Sequence, residues 1–322
     1  MYERSPVVLS VIVPIFNEAA IVNEMYHRLT AVLASMGESY ELVLVDDGSS
    51  DASCELAVAL GTRDERVKVI RFSRNFGHQA AITAGMDHAI GEAVVVIDAD
   101  LQDPPELIPQ LMAKWREGYD VVYAVRAERR GDSAFKKGTA ALFYRLMRRV
   151  TNVDIPLDTG DFRLMSRPVV EVLKRIRESH RYIRGLVSWI GFRQVGVPFV
   201  RQERFAGETK YPLRKMLKFA LDGVTAFSFF PLQLATYSGF FASAIAFLAI
   251  LGVVGLRLFT DLTIPGWASL MVCTLLLGGV QLITLGILGE YIGRIYDEVK
   301  RRPLYIVQER FNFSQDGVPS FG

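Results

Sequence analysis

Cysteine is scarce in this 322-residue sequence. Its two cysteines, Cys54 in a polar helical stretch and Cys273 inside an apolar run, are not expected to meet. That excludes a disulfide framework and fits a reducing compartment. Histidine is rare too: with only His27, His78, His88 and His180, and no clustered cysteines, a zinc site is disfavoured. Neither sign of charge dominates, because 37 Lys and Arg face 35 Asp and Glu. A formal charge of +2 supplies no bulk field for nucleic acid, so no nucleic-acid partner is expected. The opening "MYERSPVVLSVIVP" lacks a basic start and a small-residue cleavage site, so no signal peptide is expected. The phosphate-cradling G-x-x-x-x-G-K-[ST] loop, a G-x-G-x-x-G after the first apolar run, H-E-x-x-H and G-x-S-x-G are all missing. P-loop NTPases and dinucleotide oxidoreductases are therefore disfavoured.

What the sequence has is apolar residues, 50% of the chain beside 22% charged ones. That combination points to a soluble part joined to a membrane part. Residues 1 to about 130 alternate between Val- and Ile-rich runs and polar helical stretches. The runs are "LSVIVPIFN" (9–17), "YELVLVDDGS" (40–49), "VKVIRFSRN" (67–75), "EAVVVIDAD" (92–100) and "DVVYAVRAE" (120–128). Helices are expected over Glu18 to Met36 and Asp51 to Leu60. Near-continuous apolar runs alternating with helices predict an α/β domain with a parallel sheet and right-handed crossovers. In such sheets ligands bind beyond the carboxyl ends of the strands. There the sequence collects Asn17 and Glu18, Asp46 and Asp47, Arg74 and Asn75, Asp98 and Asp100, and Arg126.

The densest cluster is Asp98-Ala99-Asp100, at the end of a buried-looking run. Carboxylates held together in a partly dry place call for a cation. Read as extended chain, the segment puts both aspartates on one face. Oxygen ligands of this kind suit Mg²⁺ or Mn²⁺, which Asp98 and Asp100 would hold against a nucleotide diphosphate. Asp103, ahead of Pro104-Pro105, reads as a helix N-cap. In Asp46-Asp47-Gly48-Ser49 the second aspartate is expected to cap the turn, leaving Asp46 for a base or ribose.

Two later runs, Leu232 to Leu256 and Trp267 to Gly289, contain no charged residue. Each exceeds the roughly 20 residues needed to cross a bilayer core, so two transmembrane helices are expected. "KYPLRKMLKFALDGVTAF", just before them, carries an apolar helical stripe with Arg214, Lys215 and Lys218 off it, the pattern of an interfacial helix. Arg201, Arg204, Lys210 and these three precede the pair, and Arg294, Lys300, Arg301 and Arg302 follow it. The positive-inside rule places the α/β domain and both termini in the cytoplasm. Glu290 and Arg294, four apart, are expected to pair.

The stretches "VIVPIFNE", "LVDDGSSD", "SRNFGHQAAITAG", "DADLQDPPE", "GYDVVYAVR", "RFAGETKYPLRK" and "LGEYIGRIYDEVKRRPLY" together resemble glycosyltransferase family 2, specifically its polyprenyl-phosphate branch. The resemblance implies a GT-A domain, Rossmann-like with a mostly parallel sheet, over 1–205. It implies an amphipathic interfacial region over 206–228, a two-helix transmembrane hairpin over 229–291 and a cytoplasmic tail over 292–322. By position it implies that Pro14, Phe16, Glu18, Asp46, Asp98 and Gln102 hold the nucleotide sugar, with Asp98 and Asp100 on the metal and Arg126 on the sugar–diphosphate side. Arg204, Lys210 and Tyr211 would contact the acceptor phosphate. "DTGDFR" lies on the acceptor side, with either Asp158 or Asp161 orienting the acceptor or acting as base. The implied donor is a nucleotide sugar, UDP-glucose favoured. The implied acceptor is undecaprenyl phosphate in the bacterial inner (plasma) membrane, and a short helix pair leaves room for homo-oligomers. The Q-x-x-R-W motif of processive synthases is missing, "RYIRGLVSWIG" being the nearest stretch. The alternatives are such a synthase or a non-enzymatic lipid carrier or flippase. A lipid phosphate monoester is mostly dianionic at neutral pH, so inverting single displacement needs cations and positioning more than a base.

Overall fold

The structure is a computed structural model, and it describes residues 7–126, 159–200, 230–259 and 266–313. It forms two compact units, one holding every strand and the other the two long C-terminal helices. The interfacial stretch 206–228 lies outside the described residues.

The first unit is built on an eight-stranded sheet in the order β7-β5-β6-β4-β1-β2-β3-β8. Its strands are β1 (Leu9–Ile15), β2 (Tyr40–Asp46), β3 (Val67–Phe72), β4 (Ala93–Val96), β5 (Val121–Arg126), β6 (Thr159–Ser166), β7 (Gln194–Phe199) and β8 (Val307–Phe311). The five runs expected from sequence are β1 to β5, and β1 to β4 are joined in parallel with β1 between β2 and β4. Every residue of β1 and β2 is buried, which explains their unbroken apolar character: helices cover both faces. Two antiparallel strands were not legible. Strand β6 separates β4 from β5, and β8 closes the edge beyond β3.

Helix α1 (Val22–Ser35) turns Val22, Met25, Leu29 and Leu33 inward, the spacing of one helical face. It starts later than expected because residues 18–21 form a turn. Helices α2 (Ser53–Arg63), α3 (His78–His88), α4 (Ile108–Arg116), α5 (Arg167–Arg175) and α6 (Ile183–Trp189) complete the layers. Helix α3 comes unusually close to β1. A Cβ built on Gly85 would stand 2.2 Å from Ile12 Cγ2, so only glycine permits this approach.

The starts of β1, β2 and β3 are locked by one buried carboxylate. Glu41, 2% exposed, accepts from the Ser10 hydroxyl at 2.5 Å, the Ile90 amide at 2.8 Å and Lys68 Nζ at 2.5 Å. Ser10 Oγ in turn accepts the Gly91 amide at 2.8 Å. A buried charge so fully bonded fixes strand register where no substrate is expected.

The second unit pairs α7 (Phe230–Phe259) with α8 (Trp267–Val299). Among the described residues, one window, Leu276–Val299, is long and apolar enough to cross a membrane, and Leu232–Leu248 is apolar but shorter. Arg294 does pair with Glu290, at 3.0 Å. The tail does not stay apart. Residues 303–313 belong to the first unit, where β8 runs antiparallel to β3 and Asn312 Nδ2 donates to the carbonyls of Gly61 (2.6 Å) and Val67 (2.9 Å).

Gly85→Ala is expected to destabilise the first unit by about 1–3 kcal/mol through overpacking against Ile12, read as a lowered denaturation midpoint.

Candidate active site

The carboxyl ends of β1 to β5 and the start of antiparallel β6 share one edge of the sheet. At the β1 end, Pro14 is buried in register with Val45, while Phe16 is 46% exposed. Asn17 takes the left-handed conformation (φ 55°), and its Oδ1 accepts the Ser50 amide at 2.8 Å. Glu18 follows, its amide donating to Ser53 Oγ at 2.8 Å. These bonds dock the β1 end onto the loop after β2.

Of the two aspartates in that loop, Asp46 closes the turn that Asp47 was expected to cap. Asp46, fully buried, accepts the Ser49 amide at 3.3 Å and closes its own turn. Asp47 reaches across to accept the amides of Phe76 (2.7 Å) and Gly77 (2.9 Å), tying β2 to the loop before α3. Burial pushes both carboxyls up, against these hydrogen bonds. The loops touch so closely that a Cβ on Gly48 (φ +68°) would stand 2.4 Å from the Arg74 carbonyl carbon. The Arg74 guanidinium covers the Phe76 ring at 3.9 Å.

The Asp98-Ala99-Asp100 segment is not extended. Strand β4 stops at Val96, Ala99 and Asp100 lie in a turn, and Leu101 has φ 57°. The alternation of strand side chains therefore does not reach these aspartates. Asp100 Oδ1 accepts the Gln102 amide at 3.1 Å. Asp103 is no helix cap: Pro104 holds the N-cap position of the following 3₁₀ turn, without side-chain capping, and Asp103 is 2% exposed. Asp103 Oδ2 and Arg126 Nη2 each lie 3.6 Å from where a Cβ on Gly160 would stand, so the end of β5 and the start of β6 converge there.

The most heavily paired group on the edge is Asp161, on β6. Arg184, on α6, forks onto it with Nε–Oδ1 at 2.8 Å and Nη2–Oδ2 at 3.0 Å. His78, the first residue of α3, places Nε2 3.3 Å from Asp161 Oδ2 and 3.4 Å from Asp98 Oδ1. Arg163 Nη2 stands 3.9 Å from Asp161 Oδ1 and donates to the Gly160 carbonyl at 2.9 Å. Asp161 is nearly buried, which alone would raise its carboxyl. The bonds from His78 and Arg184 and the charges of both arginines reverse that and hold it well below the usual carboxylate range. Burial opposes the charge on His78, but the bond to Asp161 and the charge of Asp98 prevail and its imidazole is raised. Burial raises Asp98, against His78 and with the repulsion of Asp161 and Asp100.

Asp98 keeps a third of its side chain exposed, yet its Oδ1 is covered and has no hydrogen bond. A covered carboxylate oxygen met only by the long His78 contact, beside a second carboxylate at the rim, fits a hard divalent cation. Among the described residues no three His, Cys, Asp or Glu side chains gather into a metal cage. Mg²⁺ requires none, since one or two carboxylates and substrate phosphates suffice.

The edge thus brings together Pro14, Phe16, Glu18 and Asp46 at one end, Asp98, Asp100 and Gln102 in the middle, and Arg126 and Asp161 beyond. Asp158, Arg204, Lys210 and Tyr211 lie outside the described residues. Two members were missed. His78 stood in a quoted stretch, at a strand-to-helix junction where the other rim residues had been found. Arg184 follows a region without strand pattern, and only the fold reveals it.

Residues 10–174 match the family described as Glycosyl transferase family 2. Over 302 residues the chain is 58% identical to "Uncharacterized glycosyltransferase YkcC" of Bacillus subtilis (strain 168), covering 94% of each chain. It is 46% identical to "Uncharacterized glycosyltransferase sll0501" of Synechocystis sp., covering 94% of this chain and 95% of the relative. It is 44% identical to "SfII prophage-derived bactoprenol glucosyl transferase" of Shigella flexneri, covering 94% and 97%.

Arg184→Ala strands Asp161 with one cationic fork fewer and is expected to cost about 3 kcal/mol in denaturant unfolding. Arg184→Lys, unable to make the two-pronged contact, is expected to recover only part of it.

Proposed function

This chain belongs to glycosyl transferase family 2 and is a glycosyltransferase, and on that premise we propose that it moves one sugar from a nucleotide sugar to a polyprenyl phosphate at a membrane. UDP-glucose is the favoured donor, because a relative named for bactoprenol glucosyl transfer matches this chain almost end to end. The geometric observation that carries the reading is the junction of two unlike zones through His78. On one side lies Asp98, with Asp100 two residues on; on the other lies Asp161 with Arg184. A cation-seeking zone beside a cation-rich one suits a metal-bound diphosphate facing a second phosphate.

Asp98 and Asp100 would hold Mg²⁺ or Mn²⁺, which when bound neutralises charge on the departing diphosphate. Phe16, exposed at the end of β1, offers a surface for the nucleoside, with Glu18 and Asp46 shaping the turns beneath. An oxygen of the acceptor phosphate attacks the anomeric carbon from the face opposite the diphosphate. The bond to the diphosphate oxygen breaks, its electron pair leaves with that oxygen, and the configuration inverts. No proton has to be taken from a phosphate dianion, so Asp161 acts by holding Arg184 and His78 in place rather than as a base. Arg126 supplies charge on the sugar–diphosphate side. Arg204, Lys210 and Tyr211 remain the proposed acceptor-phosphate contacts.

Chain connectivity supports a membrane hairpin. Strands β1 to β7 precede the apolar unit and β8 follows it, yet all eight lie in one sheet. Chain leaving a folded domain and returning to it crosses a bilayer an even number of times. Helices α7 and α8 have 30 and 33 residues, about 45 and 50 Å at 1.5 Å per residue, enough for one crossing each. The basic flanks support a cytoplasmic sheet at a bacterial inner membrane by the positive-inside rule. A reporter fused after Gly322 is therefore expected to read as cytoplasmic, and an external reading removes the hairpin.

Membranes containing the chain, incubated with labelled UDP-glucose, Mg²⁺ and undecaprenyl phosphate, are expected to yield a lipid carrying one sugar on chromatography. A polymer would support the processive synthase and no product the carrier. Asp100→Ala, or chelation of the metal, is expected to abolish transfer while leaving membrane insertion intact; turnover near that of the native protein would remove the metal role.

A further inference from the structure

Helix α3 is buried along its length and secured at both ends by polar contacts. Its buried residues are Ala81, Ile82, Thr83, Ala84, Gly85, Met86 and His88, and Gly85 lies flat against Ile12. The N-terminal end carries His78, whose contacts to Asp98 and Asp161 are already long at 3.4 and 3.3 Å. Next to it, Gln79 Oε1 accepts the Ile183 amide at 3.0 Å, at the start of the helix that bears Arg184.

The other end is held by Asp87, whose side chain is only 3% exposed. Arg177 forks onto it at 2.8 and 3.1 Å, and the Tyr305 hydroxyl donates to its Oδ2 at 2.6 Å. Tyr305 belongs to the tail, six residues beyond the last residue of α8, Val299. It is buried, and its ring stacks on Phe72, the last residue of β3, with centroids 5.1 Å apart and planes at 14°. Phe72 meets Phe76 edge-on at 5.7 Å, and the Ser73 amide donates to the Ile306 carbonyl at 3.1 Å. The tail thus grips both the loop that leads into α3 and the far end of α3 itself.

We propose that Tyr305 is a positioning residue for sugar transfer: its hydroxyl, through Asp87, sets α3 at the axial position that presents His78 to Asp98 and Asp161. The inference rests on the reading of that cluster as the transfer site. A helix is stiff enough to carry the constraint over the roughly 14 Å between residues 78 and 87. A shift of a few tenths of an ångström at Asp87 is enough to break contacts as long as those of His78.

The test is a double-mutant cycle on the full-length, membrane-extracted protein, using the nucleotide sugar that gives product. Tyr305→Phe keeps the ring stack and removes only the hydroxyl. It is expected to lower kcat per folded enzyme about tenfold, with KM for the nucleotide sugar unchanged. His78→Asn is expected to lower kcat further, and adding Tyr305→Phe to it to cost nothing more, because the hydroxyl acts through His78. Losses that multiply in the double variant overturn the proposal, as does native kcat in Tyr305→Phe or a loss explained by the unfolded fraction alone. Native kcat in His78→Asn instead overturns the reading of the site. Asp87→Asn, which keeps an oxygen for the hydroxyl, gives a second measurement should Tyr305→Phe fail to fold. Because it weakens both the Arg177 fork and the hydroxyl's hold, it is expected to lower kcat about tenfold with KM unchanged, and native kcat overturns the proposal.

Discussion

A buried carboxylate has to be matched by cations, and in this protein the match at Asp161 draws in much of the fold. Arg184 reaches it from α6, His78 from α3 and Arg163 from β6 itself. Removing any one leaves the charge short of a partner in a place water hardly enters, so the elements bearing them are held to one arrangement. His78 extends the demand to Asp98, joining β4 to β6 through a ring neither strand carries. The antiparallel strand between β4 and β5 is therefore more than a topological insertion. It brings the carboxylate of Asp161 to the same imidazole that meets Asp98.

The two ends of the sheet treat charge in opposite ways. Where β1, β2 and β3 begin, Glu41 has its oxygens engaged by Ser10, Ile90 and Lys68, and nothing there is left to bind a ligand. Where the strands finish, Asp98 Oδ1 is covered and without a hydrogen bond. A saturated network gives rigidity, whereas an incomplete one gives affinity for whatever completes it. The same fold thus fixes register at one edge and keeps electrostatic demand at the other.

How much of this was legible in the sequence follows from how local each cause is. Five strands could be read because burial on both faces writes an unbroken apolar run, and the helix face of α1 because its spacing repeats. Most of the edge residues could be read because strand ends have a fixed place in such sheets. What failed depended on contacts distant in sequence. Asp47 looks like a turn residue until the loop at Phe76 and Gly77 is seen beside it, twenty-nine and thirty residues on. Asp98 and Asp100 looked like strand residues because the apolar run gives no sign that pairing ends at Val96. Arg184 lies where no periodicity places it, and β8 is a five-residue run with two charged residues that looks like tail.

The last strand also bears on how the molecule is made. A chain leaves the ribosome from its amino end, so β3 emerges early and must wait with one edge unpaired until residues 307–311 of 322 appear. An open strand edge is a template for aggregation. Everything translated in that interval includes the long apolar helices, so the nascent sheet stays incomplete until they have been synthesised. The edge of β3 is in this way covered last in the order of biogenesis, after both long apolar helices have left the ribosome.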